Sequence, residues 1–434
     1  SRSSAASDVY KRQINYSVYS QTNVQLAYGT VTASTPTAHL PKASSSATYL
    51  VLLSPSQAPA TWKMAIEKAP SLGVNGSSLV QGVTATGQSK RIIFVATTRQ
   101  NLGFALSDLV FPNATNWVSA DFRIYDPDGN FVTSGWCYAE YGGCQANLSE
   151  TPAGTYSVVI TPPGDGDRTM SFKSTLSTDL TGTLQTDVAQ TVSLSRRGQN
   201  ARLSFSGTAG KTVALQVAGQ NTTPADQPVY YTVYQPDGTQ LASVSTTSSA
   251  TLNLPNLPAT GTYRVFVDPS SGETASAQVT LASGTKGGQV TNGASGSFST
   301  TVPGQNVYLT FTATAGQNLG FALSDLVTPN ASYLYLTVSN PDGSYAAGQY
   351  CYESNNGCQV NLPNTVAGTY SVIVNAPPDG DRTMSFKSTL STDLTGTLQT
   401  DVAQTVNLTR RGQNARLSFT GTAGKTVALQ VAGQ

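Results

Sequence analysis

Residues 381–434 begin DRTMSFKSTLSTDLTGTLQTDVAQTV and end GTAGKTVALQVAGQ, and residues 167–220 begin and end with the same letters. The second stretch lies 214 positions after the first, and the two differ only at Ser193/Asn407, Ser195/Thr409 and Ser206/Thr420. Near-identity over this length indicates a recent duplication. A repeat of this size predicts a row of structural units that follow one another along the chain.

The 214-residue period divides once more. GQNARLSF, from Gly198, aligns with GQNVYLTF, from Gly304, and every apolar position stays in register. The unit is therefore a module of about 107 residues, present in two alternating types. We predict cysteine-containing modules at 71–180 and 285–394, a plain module at 181–284, and partial plain modules at 14–70 and 395–434.

The first residues are set aside from the fold. Residues 3–13, SSAASDVYKRQ, match the translation of a transposase adapter used in sequencing libraries, so residues 1–13 are interpreted as an artefactual, disordered leader. A polar, disordered natural N-terminus is the alternative. The rest is interpreted as a fragment of a bacterial, metagenomic sequence.

Charge is nearly balanced along the chain. There are 24 Lys and Arg residues against 23 Asp and Glu, and charged residues make up 11% of the sequence. Because nucleic acids and anionic membranes are bound through basic patches, this balance predicts neither as a partner. No apolar run is long enough to span a bilayer.

Apolar residues recur at every second position, as in YLTFT at 308–312 and LGFALS at 319–324. This period is typical of half-buried antiparallel strands. Pro-Asp-Gly at 127–129, 236–238 and 341–343 predicts tight hairpin turns in which Gly takes a positive φ. The sequence therefore predicts an all-β array of antiparallel β-sandwich modules of jelly-roll or immunoglobulin-like type.

One run alone resembles a helix, WKMAIEKA at 62–69. Its counterpart in the plain module, TASAQVTLA at 274–282, has the pattern of a strand. We therefore predict a strand at 62–69 as well.

The order of these motifs, a strand pair around an AGQ-like turn, a PDG hairpin, then AGTYSV and a closing strand, resembles the bacterial pre-peptidase C-terminal module. The resemblance covers essentially all of residues 14–434. It implies a β-sandwich of a secreted or surface protein with an accessory role in secretion, adhesion or spacing. Some relatives bind calcium or collagen, but no ligand motif of the family is carried over here.

Four cysteines lie in two short loops. Six residues separate Cys137 from Cys144, and six separate Cys351 from Cys358, each pair between two predicted strands. A hairpin brings such residues within reach of a disulfide. Free thiols and a metal site are the alternatives. Paired cysteines favour an oxidising, extracellular or cell-surface location.

Two acidic loops are the candidate calcium sites. Asp165 and Asp167, and likewise Asp379 and Asp381, are separated by one glycine. Carboxylates on a bent loop suit a hard cation, but calcium needs six to eight oxygen ligands. A plain hairpin tip is the preferred interpretation, and no cofactor is predicted otherwise.

Aromatic residues cluster around each cysteine hairpin, and some of them form a candidate ligand-binding surface. These are Trp136, Tyr138, Tyr141, Tyr350 and Tyr352. Packing between modules or on the surface is the preferred interpretation, and ligand contact is the alternative.

His39 is alone in the chain and occupies the position of Asn253 in the plain module. It has no neighbouring Cys, His or acidic partner in sequence, so we interpret it as a surface residue. With His39 interpreted in this way, His-dependent nucleophilic or acid–base catalysis has no base. We therefore predict no catalytic residue and no enzyme activity in these residues.

Two functions fit these observations. The first is a non-enzymatic stalk or adhesive spacer of a secreted or cell-surface protein. The second is an array that binds polysaccharide or matrix protein for a hydrolase encoded elsewhere. Because 395–434 corresponds to the opening strands of a plain module and 14–70 to its closing strands, head-to-tail association between molecules is also expected.

Overall fold

The computed structural model describes residues 13–32, 35–43, 45–56, 61, 63–85, 87–112, 118–163, 169–328, 333–377 and 382–433. Within these ranges the chain is built of β-strands, has no α-helix, and forms a single three-residue 3-10 turn at Glu353–Asn355. The prediction of an all-β protein is confirmed.

The N-terminal region forms a three-stranded antiparallel sheet in the order β2-β1-β3. Its strands are β1 (Ile14–Tyr19), β2 (Gln25–Val31) and β3 (Leu50–Pro55). The predicted strand at 62–69 is wrong, because the described residues of this range, 63–69, have no strand structure. Residues 274–283 do form a strand because they pair with strands on both sides.

The first cysteine-containing region has eight strands around one hydrophobic core. They are β4 (Leu79–Val83), β5 (Lys90–Ala96), β6 (Gln100–Val110), β7 (Ser119–Tyr125), β8 (Phe131–Tyr138), β9 (Gly143–Thr151), β10 (Gly154–Thr161) and β11 (Met170–Thr178). The order is β4-β11-β6-β9-β8-β7-β10-β5. A single residue pair, Tyr138 with Gly143, joins β8 to β9. Every strand contributes buried side chains to the core.

The plain region, from Leu180 onward, has nine strands. They are β12 (Leu180–Thr183), β13 (Ala189–Leu194), β14 (Ala201–Gly207), β15 (Val213–Thr223), β16 (Val229–Tyr234), β17 (Gln240–Thr246), β18 (Ala250–Leu254), β19 (Gly261–Pro269) and β20 (Thr274–Ser283). They form a five-stranded sheet, β12-β14-β19-β16-β17, and a four-stranded sheet, β13-β20-β15-β18. One core takes buried residues from both sheets.

The second cysteine-containing region repeats this arrangement. Its strands are β21 (Thr285–Gln289), β22 (Gly296–Ser299), β23 (Val307–Ala313), β24 (Leu319–Val327), β25 (Leu334–Ser339), β26 (Tyr345–Cys351), β27 (Gly357–Leu362), β28 (Gly368–Asn375) and β29 (Ser385–Thr392). The sheets are β21-β23-β28-β25-β26 and β22-β29-β24-β27, with a shared core. After it, the described part of the chain has only the parallel pair β30 (Leu394–Thr397) and β31 (Ala415–Ser418).

The Pro-Asp-Gly turns adopt the predicted conformation. Gly129, Gly238 and Gly343 have φ angles of 89°, 89° and 86°. Each turn is followed by a shift of register between the two strands that it joins. The prediction of positive φ at these glycines is confirmed, and it explains why glycine is required there.

Strand β24 departs from the expected alternation. All of residues 319–324 are buried, including Gly320, Ala322 and Ser324 on the face predicted to be exposed. A Cβ atom on Gly320 would lie 1.7 Å from the carbonyl oxygen of Gly412, so the later loop packs directly on this face. Strand β6 is buried on both faces in the same way.

Candidate functional site

Both cysteine pairs are disulfide-bonded. Cys137 is joined to Cys144 and Cys351 to Cys358, each with a Cα–Cα distance of 4.8 Å. The described part of the chain has no free cysteine. Each disulfide crosses the short connection from β8 to β9 or from β26 to β27, and so it fixes the strand that carries the neighbouring aromatic residues.

The aromatic residues around the hairpins are largely exposed. Trp136, Tyr141, Tyr350 and Tyr352 have 67%, 46%, 51% and 39% of their surface accessible, whereas Tyr138 is half-buried. Tyr138 contacts Tyr141 edge to face at 5.7 Å between ring centroids. The exposed rings are therefore available for ligand contact as well as for packing.

The candidate calcium ligands Asp165, Asp167, Asp379 and Asp381 lie outside the described residues. Among the residues that are described, no group of three or more His, Cys, Asp or Glu side chains could hold a metal ion. The preferred plain hairpin tip and the alternative calcium site therefore both stay predictions for the acidic loops.

The surface of contact between successive regions is better defined than any of these predicted sites. We use the name GQN loop for residues 198–200, 304–306 and 412–414, which precede β14, β23 and β31. The loop at 198–200 packs on β6 of the preceding region, where a Cβ atom on Gly103 would lie 1.6 Å from the carbonyl oxygen of Gly198. Backbone therefore meets backbone, and no larger residue fits without a shift.

An arginine next to each loop reaches back into the preceding region. Arg196 donates hydrogen bonds to the carbonyl oxygen of Gly76 at 2.5 Å and to Ser177 Oγ at 2.9 Å. Arg410 makes the equivalent contacts with Gly293 and Ser391. Two copies of the loop thus dock in the same way.

The glutamine of the loop links it to the end of the preceding region. The Nε2 atoms of Gln199, Gln305 and Gln413 donate to the carbonyl oxygens of Thr178, Ser283 and Thr392, at 3.3, 2.7 and 3.3 Å. The first and third acceptors end β11 and β29, and the second ends β20. A single contact is therefore repeated at three junctions.

The asparagine of the loop forms a polar pair across each junction. Asn200 Nδ2 donates to Asn147 Oδ1 at 2.8 Å, and Asn414 Nδ2 donates to Asn361 Oδ1 at 2.9 Å. At the middle junction the backbone N–H of Asn306 donates to Asn253 Oδ1 at 3.0 Å.

His39 belongs to the same series at the first junction. Its Nε2 atom lies 2.7 Å from Ser89 Oγ, and Ser89 occupies the position of the loop asparagine. The residue is half-buried, so its interpretation as a surface residue is wrong. Burial lowers its pKa to about 4, and the charge on Arg91 acts in the same direction. His39 is therefore neutral near pH 7.

A partly buried ion pair completes two of the junctions. Arg202 Nε lies 2.6 Å from Asp179 Oδ2, and the carboxylate side chain is 2% exposed. Arg416 Nε lies 2.7 Å from Asp393 Oδ2 in the same arrangement. Each aspartate also accepts a hydrogen bond from the loop asparagine, at 3.2 and 2.9 Å. The buried carboxylates are thus paired and hydrogen-bonded, as burial of charge requires.

Further polar contacts surround the loop at 198–200. Asp268, at the end of β19, accepts hydrogen bonds from Gln145 and from Asn147 Nδ2, the latter at 3.1 Å. Burial raises the pKa of Asp268, and these two hydrogen bonds oppose the shift. A Cβ atom on Gly272 would lie 2.8 Å from the carbonyl oxygen of Cys144, so the disulfide hairpin also contacts the next region.

Sequence reasoning used the GQN motif for alignment and missed its role at the junctions. The available signal was the small residues on the outer face of LGFALS, since Gly103 and Ala105, like Gly320 and Ala322, replace the polar residues of a solvent-facing strand. Small residues permit a close approach of another backbone.

No protein-family model matches the chain, and no curated protein matches it. Among solved structures, it is similar to the pre-peptidase C-terminal domain of a Bacillus anthracis collagenase, with 13% identity, 26% of this chain and 99% of that chain covered, and a TM-score of 0.20. It is also similar to the M60 catalytic domain of Clostridium perfringens ZmpB with its two CBM51 domains, with 10% identity, 81% and 41% covered, and a TM-score of 0.16.

A third similar structure is tripeptidyl peptidase 2, with 8% identity, 70% of this chain and 34% of that chain covered, and a TM-score of 0.17. The chain thus spans less than half the length of this structure and of the ZmpB structure. No helix among the described residues has the length and apolar character needed to cross a membrane.

Proposed function

We propose that these residues form a semi-rigid spacer of a secreted or cell-surface protein, built from tandem β-sandwich modules of the pre-peptidase C-terminal type. The observation that carries the proposal is the contact of Gly198 with Gly103, repeated by Gly412 with Gly320. A flexible linker would leave the outer face of β6 in solvent, whereas here the next region covers that face.

Several contacts hold the two junctions that contain Arg196 and Arg410 in one orientation. The GQN loop, the arginine before it and the ion pair after it are separated along the chain, yet all three contact the preceding region. Contacts at three separated points resist both bending and rotation. The buried ion pair contributes orientation more than stability, because desolvation of the two charges offsets their attraction.

The two disulfides support the proposed location. Disulfides persist in oxidising compartments. The two disulfides of this chain lie in small modules, which a covalent crosslink stabilises. The resemblance of the PDG and AGTYSV motifs to modules of secreted bacterial proteins supports the same location. The spacer role requires no catalytic group.

The spacer role can be tested by measuring a distance between two modules. Probes at Asp128 and Asp342, the equivalent hairpin tips of the two cysteine-containing regions, should give a narrow distance distribution by electron spin resonance. Gly103→Leu should broaden it, because the GQN loop can no longer dock. Gly288→Ala is the control, since its Cβ atom would have no neighbour closer than 4.0 Å.

A broad distribution in the unaltered chain would contradict the proposal. So would a Gly103→Leu variant with an unchanged distribution. Thermal unfolding monitored in parallel separates loss of the junction from loss of the fold.

A second candidate function is an array that binds polysaccharide or matrix protein beside a hydrolase. The exposed aromatic residues around the disulfide hairpins favour it. The two functions are compatible, because the junction contacts described above involve β6, β9 and β11 of the first cysteine-containing region rather than β7 and the solvent-facing side of β8.

A further inference from the structure

Five tyrosines lie together on the outward side of β25 and β26 and beside these strands. We call them the tyrosine face: Tyr333, Tyr335, Tyr345, Tyr350 and Tyr352. The ring of Tyr350 lies 5.0 Å from Tyr333 at an interplanar angle of 89° and 4.8 Å from Tyr335 at 55°. Tyr352 packs 5.9 Å from Tyr333. These contacts hold the rings in fixed orientations.

The rings are ordered but remain accessible. Tyr345, Tyr350 and Tyr352 have 64%, 51% and 39% of their surface exposed. Single exposed apolar residues are common on proteins, but a contiguous exposed cluster marks a binding surface.

A glycine lies beneath two of the hydroxyl groups. A Cβ atom on Gly348 would lie 2.9 Å from Tyr335 Oη and 3.0 Å from Tyr345 Oη. The φ angle of Gly348 is in a range open to other residues. Glycine is therefore needed here because it leaves room for the two hydroxyl groups, and not because of its backbone conformation. Two hydroxyl groups therefore converge next to the ring faces and can donate or accept hydrogen bonds there.

The tyrosine face carries no charge. The outward side chains of β25 and β28, including Thr337, Ser371, Ile373 and Asn375, are uncharged. The nearest acid in sequence, Glu353, accepts a hydrogen bond from Thr328 Oγ1 at 3.1 Å. A charged ligand would lose its hydration here without gaining an ionic partner.

The disulfide holds this surface in place. Cys351 lies between Tyr350 and Tyr352, and its bond to Cys358 joins the end of β26 to β27. A preordered surface loses less conformational entropy when it binds.

The first cysteine-containing region differs on this surface and agrees elsewhere. It has Ser119, Asp121, Phe131, Trp136 and Tyr138 at the five equivalent positions. Asp121 is paired with Arg123 at 3.6 Å, so this face is charged. In contrast, NLGFALSD and DRTMSFKSTLSTDL, which include the docking strands, are identical in the two regions. The outward face has changed while the junction has not.

We propose that the tyrosine face is a binding site for a neutral polysaccharide. Sugar rings present a C–H face that packs on aromatic rings and hydroxyl groups that need hydrogen-bonding partners, and this surface offers both. The site is independent of the spacer role, since none of the junction contacts described above involves the five tyrosines.

Affinity electrophoresis of the full chain tests the site with defined probes. The gels contain hydroxyethyl cellulose, xylan, galactomannan or dextran as neutral polysaccharides, and polygalacturonate or gelatin as the charged and protein alternatives. We expect retardation by at least one neutral polysaccharide that persists in 0.5 M salt, a condition of the assay chosen because ionic contacts are screened at about this concentration. Tyr345→Ala combined with Tyr350→Ala should weaken binding by about tenfold or more.

Tyr230→Ala is the matched control, because Tyr230 is a 44% exposed tyrosine on β16 of the plain region. It should leave the retardation unchanged. Gly348→Val, which fills the space beneath the two hydroxyl groups, should reduce binding while the disulfide and the melting temperature are retained. Retardation by none of the neutral polysaccharides, or only by polygalacturonate or gelatin, would overturn the proposal. Undiminished retardation of the double tyrosine variant would overturn it as well.

Discussion

Residues 181–220 and 395–434 have almost the same sequence and different structures. In the first stretch Phe205, Leu215 and Val217 are at most 1% exposed. Their counterparts Phe419, Leu429 and Val431 are 57%, 78% and 67% exposed. The equivalents of β13 and β15 form no strand in the second stretch, whereas β30 and β31 pair as β12 and β14 do.

The difference separates two kinds of contact. The junction contacts of Arg196, Gln199, Asn200 and Arg202 are repeated by Arg410, Gln413, Asn414 and Arg416, since their partners precede them in both cases. The core of the plain region instead depends on β16, β19 and β20, which pair with or pack against the earlier strands, and the described residues after β31 contain no strand in their place. The junction contacts need only the repeated 54-residue stretch and the residues before it. The core of the plain region also needs strands that come after this stretch.

The largest expected effect comes from adding strands equivalent to β16, β19 and β20 after β31. A chain extended after Gln434 by a copy of residues 221–284 should bury Phe419 and Leu429 as Phe205 and Leu215 are buried. The gain is the folding free energy of one module, roughly 5–15 kcal/mol. Hydrogen exchange measured by mass spectrometry should show strong protection of residues 417–431 in the extended chain alone.

The comparison within one experiment is clean because Ser206 and Thr420 give the two equivalent peptides different masses. The peptide around Ser206 serves as the protected standard. Equal protection of both peptides without the extension would contradict the role assigned to β16, β19 and β20.

A smaller effect is expected from equivalent core substitutions. Leu215→Ala removes a fully buried side chain and should lower the free energy of unfolding by about 2–5 kcal/mol. Leu429→Ala changes an exposed side chain and should stay within about 0.5 kcal/mol. Urea denaturation monitored by far-ultraviolet circular dichroism compares the two variants. A similar loss of unfolding free energy in both would refute the assignment of different environments.

The next smaller effect on stability is expected from removal of either disulfide. Replacing Cys137 and Cys144 with serine, or Cys351 and Cys358, should cost about 2.5 kcal/mol in either case by the chain-entropy estimate for a short loop. The first hairpin also contacts the following region, since a Cβ atom on Gly142 would lie 2.6 Å from Pro224 Cγ. Loss of the first disulfide should therefore also speed exchange near Pro224.

The second hairpin makes no such contact with a following region among the described residues. Loss of its disulfide should therefore affect only its own region. Denaturation with and without reductant measures the stabilities, and hydrogen exchange locates the effect. Unchanged exchange of the amides that flank Pro224 in the first variant would show that the hairpin does not support the junction.

The sequence predicted what depends on local pattern. Alternation in 308–312 and the glycines of the PDG turns were sufficient for an all-β chain with tight hairpins, because strand faces and positive φ angles are decided by near neighbours. It could not predict that Gly320 and Ala322 are covered, since the covering Gly412 lies 90 positions or more away. For the same reason, His39 was assigned to the surface without knowledge of Ser89, and 62–69 was assigned to a strand without knowledge of its pairing.

The smallest expected effect distinguishes the first junction from the other three. Its polar pair is His39 with Ser89, whereas the others contain Asn147, Asn253 and Asn361, which do not titrate.

Burial lowers the pKa of His39 from an ordinary value of 6.5 to about 4, so the unfolded chain binds more protons than the folded chain between these values. The contribution of His39 is therefore fully present above pH 6.5 and is lost as the pH falls towards 4. After correction for the pH dependence of intrinsic amide exchange, the protection of amides around Ser89 should fall over this window while that of Asn200 and Asn306 does not, and His39→Asn should abolish the difference. An NMR titration in which His39 protonates near pH 6.5 in the folded chain would show that the imidazole is not held in the junction.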